Sequence, residues 1–373
     1  MISYLKNLKD KVDRQVGSDF VQRILQYQGA KGLVNLVNVS LTALQEEQPP
    51  RLNYLPPCLF VEVTNRCNLT CPTCQLGTDE AYRGYNKGDI SFENFKKVID
   101  QIPSLVYVTL QGVGEPLLNK DIMKMIRHCT DRGIATYINT NGTILTETKS
   151  RELIEAGLCN LSISVNSFNE DVFAKTRSGA SITKIAENIK KFIEIKRSLN
   201  SKKPIVSFRS ILMKETEPHM EELILKSSEL GVDVLYIQLF ISMIADKSLM
   251  ESSLSKDEVE SFSEKLEQWK KQVKNLEIVT ESFGKSSNNL GQCKLPWFSP
   301  NVTAEGYVTP CCTISNPSII NMGNVFETPF EQIWNSEKFV EFRGGFYKKQ
   351  PTVCTGCPSY ILKSASNGKP VYN

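Results

Sequence analysis

Cys58-Leu-Phe-Val-Glu-Val-Thr-Asn-Arg-Cys67-Asn-Leu-Thr-Cys71-Pro-Thr-Cys74 carries an apolar segment straight into three closely spaced cysteines. The apolar part, residues 59–64, reads as a strand, and the cysteines fall where that strand ends. Thiolates are soft ligands that suit iron–sulfur clusters or zinc. A zinc site normally closes with four ligands, whereas a cubane cluster has four irons to fill. Cys67, Cys71 and Cys74 can therefore cap three irons and leave the fourth open for a substrate or cofactor. A structural zinc with a distant fourth ligand is the competing reading of these three residues taken alone.

The rest of the composition narrows the chemistry. At 373 residues the chain can bury one large core, or a large and a small domain. Apolar content of 40% and charged content of 23% fit an ordinary globular protein. No apolar run approaches the ~20 residues of a membrane span. The N-terminus, MISYLKNLKDKVDRQ, mixes charges into its apolar positions and lacks a secretory core, so a cytoplasmic location is expected. With 44 basic and 41 acidic residues the net charge is only +3, which argues against a nucleic-acid partner. The 11 cysteines point to metal rather than disulfides in a chain of this size. Only His128 and His219 are histidines, so the metal chemistry must be sulfur chemistry.

Residues 1–57 read as a helical extension, with Tyr4, Leu5, Leu8, Val12 and Val16 at helical spacing and prolines at 49, 50, 56 and 57 ending it. A packed collar or a partner-docking arm is its expected role. Residues 58–245 then alternate between strand-like and helix-like segments. The strands are expected at 59–64, 105–110, 134–139, 161–165, 205–212 and 234–239, with helices between them. Six β–α units in series predict an α/β fold, a partial (β/α)6 TIM-type barrel with a parallel sheet and helices outside. In such barrels chemistry gathers where strands end and loops begin, which is where the cysteine triplet stands. Residues 246–290 read as a helical linker, and 291–373 as a small cysteine-rich domain.

Several further segments carry polar groups at strand ends. The second strand leads into Gln111-Gly-Val-Gly-Glu-Pro116, where Gly112 and Gly114 let the backbone approach a ligand and Glu115 follows at once. The third ends in Asn139-Thr-Asn-Gly142, short polar groups fit to bond a ribose or carboxylate; Asn141 and Gly142 equally suit a plain turn. In the fourth, Ser162, Ser164 and Asn166 share one face. Arg209 in the fifth strand is read as facing the barrel mouth, because charge is rarely buried unpaired. Glu62 on the first strand and Gln238 on the sixth are candidates for substrate contact, a structural hydrogen bond being the alternative for both. Cys293, Cys311, Cys354 and Cys357 form a second constellation that suits either a zinc ribbon or a cubane cluster.

The C-x3-C-x2-C triplet, followed by Gly112-Val-Gly-Glu115, resembles the signature of the radical S-adenosylmethionine (SAM) superfamily. The terminal cysteines resemble the cluster-bearing extension of its SPASM and twitch subgroup, the shorter single-cluster form fitting better. The resemblance spans roughly residues 58–373 and implies three cofactors: a SAM-binding 4Fe-4S cluster on Cys67, Cys71 and Cys74, an auxiliary 4Fe-4S cluster on the terminal cysteines, and SAM itself. Cys312, beside Cys311, is the alternative ligand there. The candidate cofactor contacts are Gly112, Gly114, Glu115, Asn139, Asn141, Ser164, Asn166, Arg177 and Gln238, of which the resemblance itself points to Gly112, Gly114 and Glu115 for the SAM amino group and Arg177 for its carboxylate. Asn166 departs from the aspartate common in relatives: an amide can hydrogen-bond a hydroxyl but cannot act as a base.

The implied mechanism is reduction of the cluster by a reductant such as flavodoxin or ferredoxin, cleavage of SAM to a 5′-deoxyadenosyl radical, and abstraction of a hydrogen atom from an unactivated C–H bond. The expected activity is that of an oxidoreductase dehydrogenating a sugar, cyclitol or aminoglycoside-like alcohol, with Arg209 or Glu62 as the base. The alternatives are a maturase that modifies a ribosomal peptide and, from another class, a non-catalytic iron–sulfur or zinc protein. The partner is a small molecule or a peptide, with no nucleic acid and no transmembrane segment.

Overall fold

The computed structural model describes residues 34, 37–38, 41–42, 45, 48–78, 88–240, 251–281, 293–348 and 351–354. The expected helices of residues 1–47 thus lie mostly outside the described residues, as does Cys357. Among the described residues ten strands form one sheet. The barrel contributes seven consecutive parallel strands: β1 (Cys58–Val61), β2 (Tyr107–Leu110), β3 (Ala135–Thr140), β4 (Asn160–Ser164), β5 (Ile205–Leu212), β6 (Val234–Leu239) and β7 (Glu277–Glu281). Between them run α1 (Phe92–Asp100), α2 (Ile122–Asp131), α3 (Glu147–Glu155), α4 (Glu170–Thr176), α5 (Ile182–Ser198), α6 (Met220–Leu230) and α7 (Lys256–Trp269).

Burial follows the period of two that a strand imposes. Leu59, Val61, Val108, Leu110, Ile138, Leu161, Ile163, Val206, Phe208, Leu235 and Ile237 are all buried and join one core with Phe95, Ile126, Ile189, Phe192 and Leu223 of the helices. Residues of the other parity line the concave face, and there the side chains turn polar. Several helices are also capped by side chains. Ser91 caps α1 by accepting from the Asn94 amide, and Ser255 and Glu258 form a reciprocal cap on α7.

The C-terminal part extends this sheet rather than standing apart. β8 (Asn301–Val302), β9 (Tyr307–Thr309) and β10 (Gly323–Asn324) give the order β10-β9-β8-β1-β2-β3-β4-β5-β6-β7. β8 pairs parallel to β1, Phe60 opposite Asn301 and Val61 opposite Val302. β7 and β10 are the two ends of the order, so the barrel stays open. The helical linker expected at 246–290 needs correction, because it contains β7, paired with β6 from Val234↔Glu277 to Gln238↔Glu281. Glu277-Ile-Val-Thr-Glu281 alternates as a strand should, but five residues after a long charged helix give a weak pattern.

Residues 49–54 are stapled to the C-terminal domain, as a collar would be. Trp297 Nε1 donates to Pro49 O at 2.8 Å, and Trp334 Nε1 to Tyr54 O at 2.8 Å. Leu52 and Asn335 exchange two bonds, 2.9 and 2.8 Å. Arg343, on α9 (Glu337–Lys348) just after α8 (Phe330–Trp334), holds the junction together. It is fully buried, and its guanidinium donates to Pro296 O at 3.0 Å, Pro50 O at 3.2 Å and Trp334 O at 2.8 Å. The rings of Trp334 and Phe339 each lie 4.1 Å from its Cζ. Burial lowers its pKa to about 9, the cost of desolvating a charge that has carbonyls and ring faces around it but no carboxylate partner among the described residues. Replacing Arg343 by Leu strands three carbonyls and should cost on the order of 3 kcal/mol or more. The urea midpoint of the apo-protein reads this; a midpoint equal to wild type would show that the junction does not need the arginine.

Candidate active site

The cysteine loop leaves β1 under tight control. The Ile90 amide donates to Val63 O at 3.1 Å, and the Asn119 side-chain amide donates to Val63 O at 2.7 Å and Ile90 O at 3.0 Å. Arg66 pairs with Asp89, which also accepts from Thr64 Oγ1 at 2.6 Å. Beyond this anchor the chain turns through Cys67, Cys71 and Cys74, with the Cys74 amide donating to Cys71 O at 3.1 Å.

All three thiols are electrostatic neighbours: Cys67 feels Cys74, and Cys71 feels both others. Burial pushes the thiols of Cys67 and Cys71 up. Opposing this, the Leu69 amide and the Asn141 side chain donate to Cys67, while Arg177 donates to Cys71 and attracts its thiolate. Among the described residues no three His, Cys, Asp or Glu side chains are already drawn into metal-holding geometry. The donor set nevertheless fits a cubane, with three soft sulfurs in one loop beside an arginine that offsets thiolate charge.

The next loop is pressed against this one. The Glu115 amide donates to Arg66 O at 2.8 Å. A Cβ on Gly114 would stand 2.5 Å from both Thr64 O and Arg66 O, so only glycine permits the approach. Glu115 is 2% exposed and braced: Oε1 accepts from Thr140 Oγ1 at 2.7 Å and the Leu117 amide at 3.1 Å, and Oε2 from the Asn141 amide at 2.7 Å. A carboxylate has about four acceptor sites, which leaves one on Oε2 for an ammonium donor. Burial raises the Glu115 pKa, and these bonds and Arg177 pull it back.

The other expected SAM contacts divide into two groups. Asn141 is occupied, its amide nitrogen donating to Asn68 Oδ1 at 2.9 Å and its oxygen accepting from Thr143. It therefore locks the third-strand turn onto the cysteine loop. Asn139 and Ser164 bond each other at 3.3 Å across β3 and β4. Arg177 Nε and Asn166 Nδ2 are different, being buried with no hydrogen-bond partner among the described residues, and Ser162 Oγ, outside the expected contacts, joins them. Asn166 is fully buried, and its oxygen accepts from the Ile211 amide at 3.2 Å. Such orphaned donors fit the hydroxyls and carboxylate of a bound cofactor. Gln238 stands half-buried on β6, opposite Ile211 and Glu281.

Of the two expected bases, Arg209 lies on the concave parity of β5, between Ser164 and Tyr236, its Cζ 4.9 Å from the Tyr236 ring centroid. Glu62 is 1% exposed and faces amides of the protein itself, Val113 N at 3.5 Å and Ala304 N at 3.4 Å. In the C-terminal set, Cys293 and Cys311 are electrostatic neighbours, and burial raises the Cys311 thiol far above its ordinary value. The amides of Thr313 and Ile314 donate to Cys311, whereas Cys312 is half-buried. Cys354 is buried in the one-turn helix Thr352–Cys354.

Sequence reasoning missed Tyr107, Tyr137 and Tyr236. They share the concave parity of β2, β3 and β6, and burial, with Tyr137 and Tyr236 nearby, pushes the Tyr107 hydroxyl well above its ordinary pKa. Tyr107 packs with Ala135 and Cys159 as a small second cluster. The strand alternation carried that signal, since tyrosines took the place of apolar residues on the inward parity.

A strand-end cysteine triplet beside a braced buried glutamate defines a cluster-based, SAM-dependent class of enzyme. The family models agree: residues 61–227 match the radical SAM superfamily, and residues 293–358 match the iron–sulfur cluster-binding SPASM domain. The chain belongs to the radical SAM superfamily, in its SPASM-bearing group. The 4Fe-4S and SAM cofactors and auxiliary iron–sulfur binding come with that membership.

The chain is 28% identical to the tungsten-containing aldehyde ferredoxin oxidoreductase cofactor-modifying protein of Pyrococcus furiosus, over 80% of this chain and 86% of that protein. It is 23% identical to the PqqA peptide cyclase of Bradyrhizobium diazoefficiens, covering 81% and 79%. The fold matches SuiB of Streptococcus suis bound to its precursor peptide SuiA, with TM-score 0.64, 15% identity, and coverage of 92% and 78%. No helix among the described residues is long and apolar enough to cross a membrane.

Gly114→Ala should force the two loops apart, lower stability by about 2 kcal/mol and leave iron at the first cluster substoichiometric after reconstitution. Denaturant titration and iron analysis report both effects. Wild-type values in each would show that the close approach is dispensable.

Proposed function

We propose that this protein modifies a peptide by hydrogen abstraction at an unactivated carbon. The observation that carries this reading is the chemistry of the concave face. Its parity positions include Gln111, Asn139, Asn160, Asn166 and Gln238, with Ser162, Ser164 and Ser207 among them. Side-chain amides present a donor and an acceptor together, the complement of a backbone peptide group. Arg209 is the one formal charge at the concave positions of strands β2 to β6, and the tyrosines offer flat apolar area for a substrate side chain. Similarity to a peptide cyclase, and to the fold of a peptide-bound enzyme, favours the same substrate class. Dehydrogenation of a sugar or cyclitol rests on the single-cluster cysteine spacing alone, and is the weaker reading.

Cys67, Cys71 and Cys74 would hold the SAM-binding cluster, and Cys293, Cys311, Cys354 and Cys357 one auxiliary cluster. The cluster with SAM supplies the radical that takes the hydrogen atom. Glu115 accepts from the SAM amino group through its remaining lone pair, and Arg177 offers Nε to the SAM carboxylate. Asn166 and Ser162 supply orphaned groups to the ribose or the substrate. Arg209 orients an anionic or carbonyl group of the substrate beside Tyr236. An external low-potential one-electron carrier, a flavodoxin or a ferredoxin, provides reduction.

Anaerobic reconstitution should give ~8 irons per chain, from two clusters of ~4. About four irons with retained zinc would contradict the auxiliary cluster. Dithionite-reduced protein should release 5′-deoxyadenosine, and Cys71→Ala should abolish it. Deuterium should pass into deoxyadenosine from a deuterated peptide substrate. Transfer from deuterated sugars or cyclitols, with none from peptide, would overturn the substrate class while leaving the family intact.

A further inference from the structure

Glu62 stands where the two iron–sulfur modules meet. Its own amide donates to Val302 O at 2.9 Å, one step beyond the β1–β8 register, so the turn between β8 and β9 closes over its side chain. One carboxyl oxygen faces the Val113 amide at 3.5 Å, in the loop between Gly112 and Glu115. The other faces the Ala304 amide at 3.4 Å, in the C-terminal hairpin. A Cβ on Gly112 would fall 2.3 Å from Glu62 Cγ and 2.7 Å from its Oε1. The glycine is thus the notch into which this carboxyl fits. The first strand, the SAM-motif loop and the C-terminal domain share one buried group.

We propose that Glu62 is a positioning residue, coupling the seating of the C-terminal hairpin to the shape of the Gly112–Glu115 loop and so to SAM affinity. The SAM part of this proposal rests on the family membership; the coupling itself rests on the contacts alone. Both contacts are long for hydrogen bonds, so a shift of a few tenths of an ångström in either loop makes or breaks one. Burial raises the Glu62 pKa to about 7, with Glu305 of the same hairpin adding to the rise and the two amides opposing it. Glu305 is the charged group that faces it. A carboxyl whose folded pKa is raised contributes stability that is complete at low pH and lost as pH climbs through the folded value. With the opened carboxyl titrating near 4.5 and the folded one near 7, the junction should therefore loosen from about pH 4.5 to 7 and level off above that.

Hydrogen–deuterium exchange on the full-length apo-protein tests the coupling directly. Corrected for intrinsic rates, exchange in peptides spanning residues 110–116 and 302–308 should rise together from pH 5 to 7 in wild type. Glu62→Ala should raise both segments at either pH, and Glu62→Gln, a stand-in for the neutral acid, should hold both near their pH 5 values throughout. In the reconstituted protein Glu62→Ala should weaken SAM binding roughly tenfold, and Glu62→Gln should restore it and flatten its pH dependence. If Glu62→Ala does not fold, the Glu62→Gln comparison decides alone. Independent exchange of the two segments, or a pH response that survives in Glu62→Gln, overturns the coupling. Absence of SAM binding by wild type would instead count against the cofactor reading, while the exchange result would still judge Glu62.

Discussion

The pairing of β1 with a parallel neighbour on each side is the constraint on which the site depends. β2 lies along one edge and β8 along the other, so β1 is the shared wall of the barrel and the C-terminal domain. Its outward residues, Leu59, Val61 and Val63, are all fully buried. A strand held on both edges and buried on one face cannot slip register without moving every side chain to the wrong side. The cysteine loop, which leaves the end of this strand, therefore starts from a fixed point.

From that fixed point the site is built by close approach of backbone to backbone. Gly114 rests on Thr64 and Arg66, Gly112 makes room for Glu62, and the Glu115 amide closes onto Arg66. Side chains then lock the mouth of the barrel in a ring. Glu115 joins the ends of β2 and β3, Asn141 joins β3 to the cysteine loop, and Asn166 joins β4 to β5. Polar groups left over after this bracing, on Ser162, Asn166 and Arg177, are the ones available to a ligand. An arginine beside buried thiols also eases the burial of negative charge as they ionise to bind metal.

The sequence made the order of strands and helices legible because most outward strand positions are apolar and the longer helices carry a periodic apolar stripe. β5 and β6 match their expected bounds, 205–212 and 234–239. The cysteine triplet and Glu115 were legible because their spacing is chemical rather than conformational. What the sequence hid was long-range. Nothing near residue 301 announces that Asn301-Val302 will pair with a strand some 240 residues earlier, since two-residue strands have no periodicity. Glu62 read as a candidate base or substrate contact on the first strand, and the partners it meets come from residues 113 and 304. Arg343 drew no reading from the sequence, because the three carbonyls it serves come from residues 50, 296 and 334. Such roles exist only once distant segments meet.

The central claim is that two distinct clusters sit in one chain and that SAM addresses only the one held by the loop after β1. Electron paramagnetic resonance of the dithionite-reduced, reconstituted protein, recorded with and without SAM, tests it most directly. The account predicts two overlapping cluster signals, of which SAM shifts one and leaves the other in place. In a variant with Cys67, Cys71 and Cys74 all replaced by alanine, the responsive signal should vanish and the other remain. A SAM-responsive signal that survives in that variant, or spectra that SAM leaves unchanged in wild type, would contradict it.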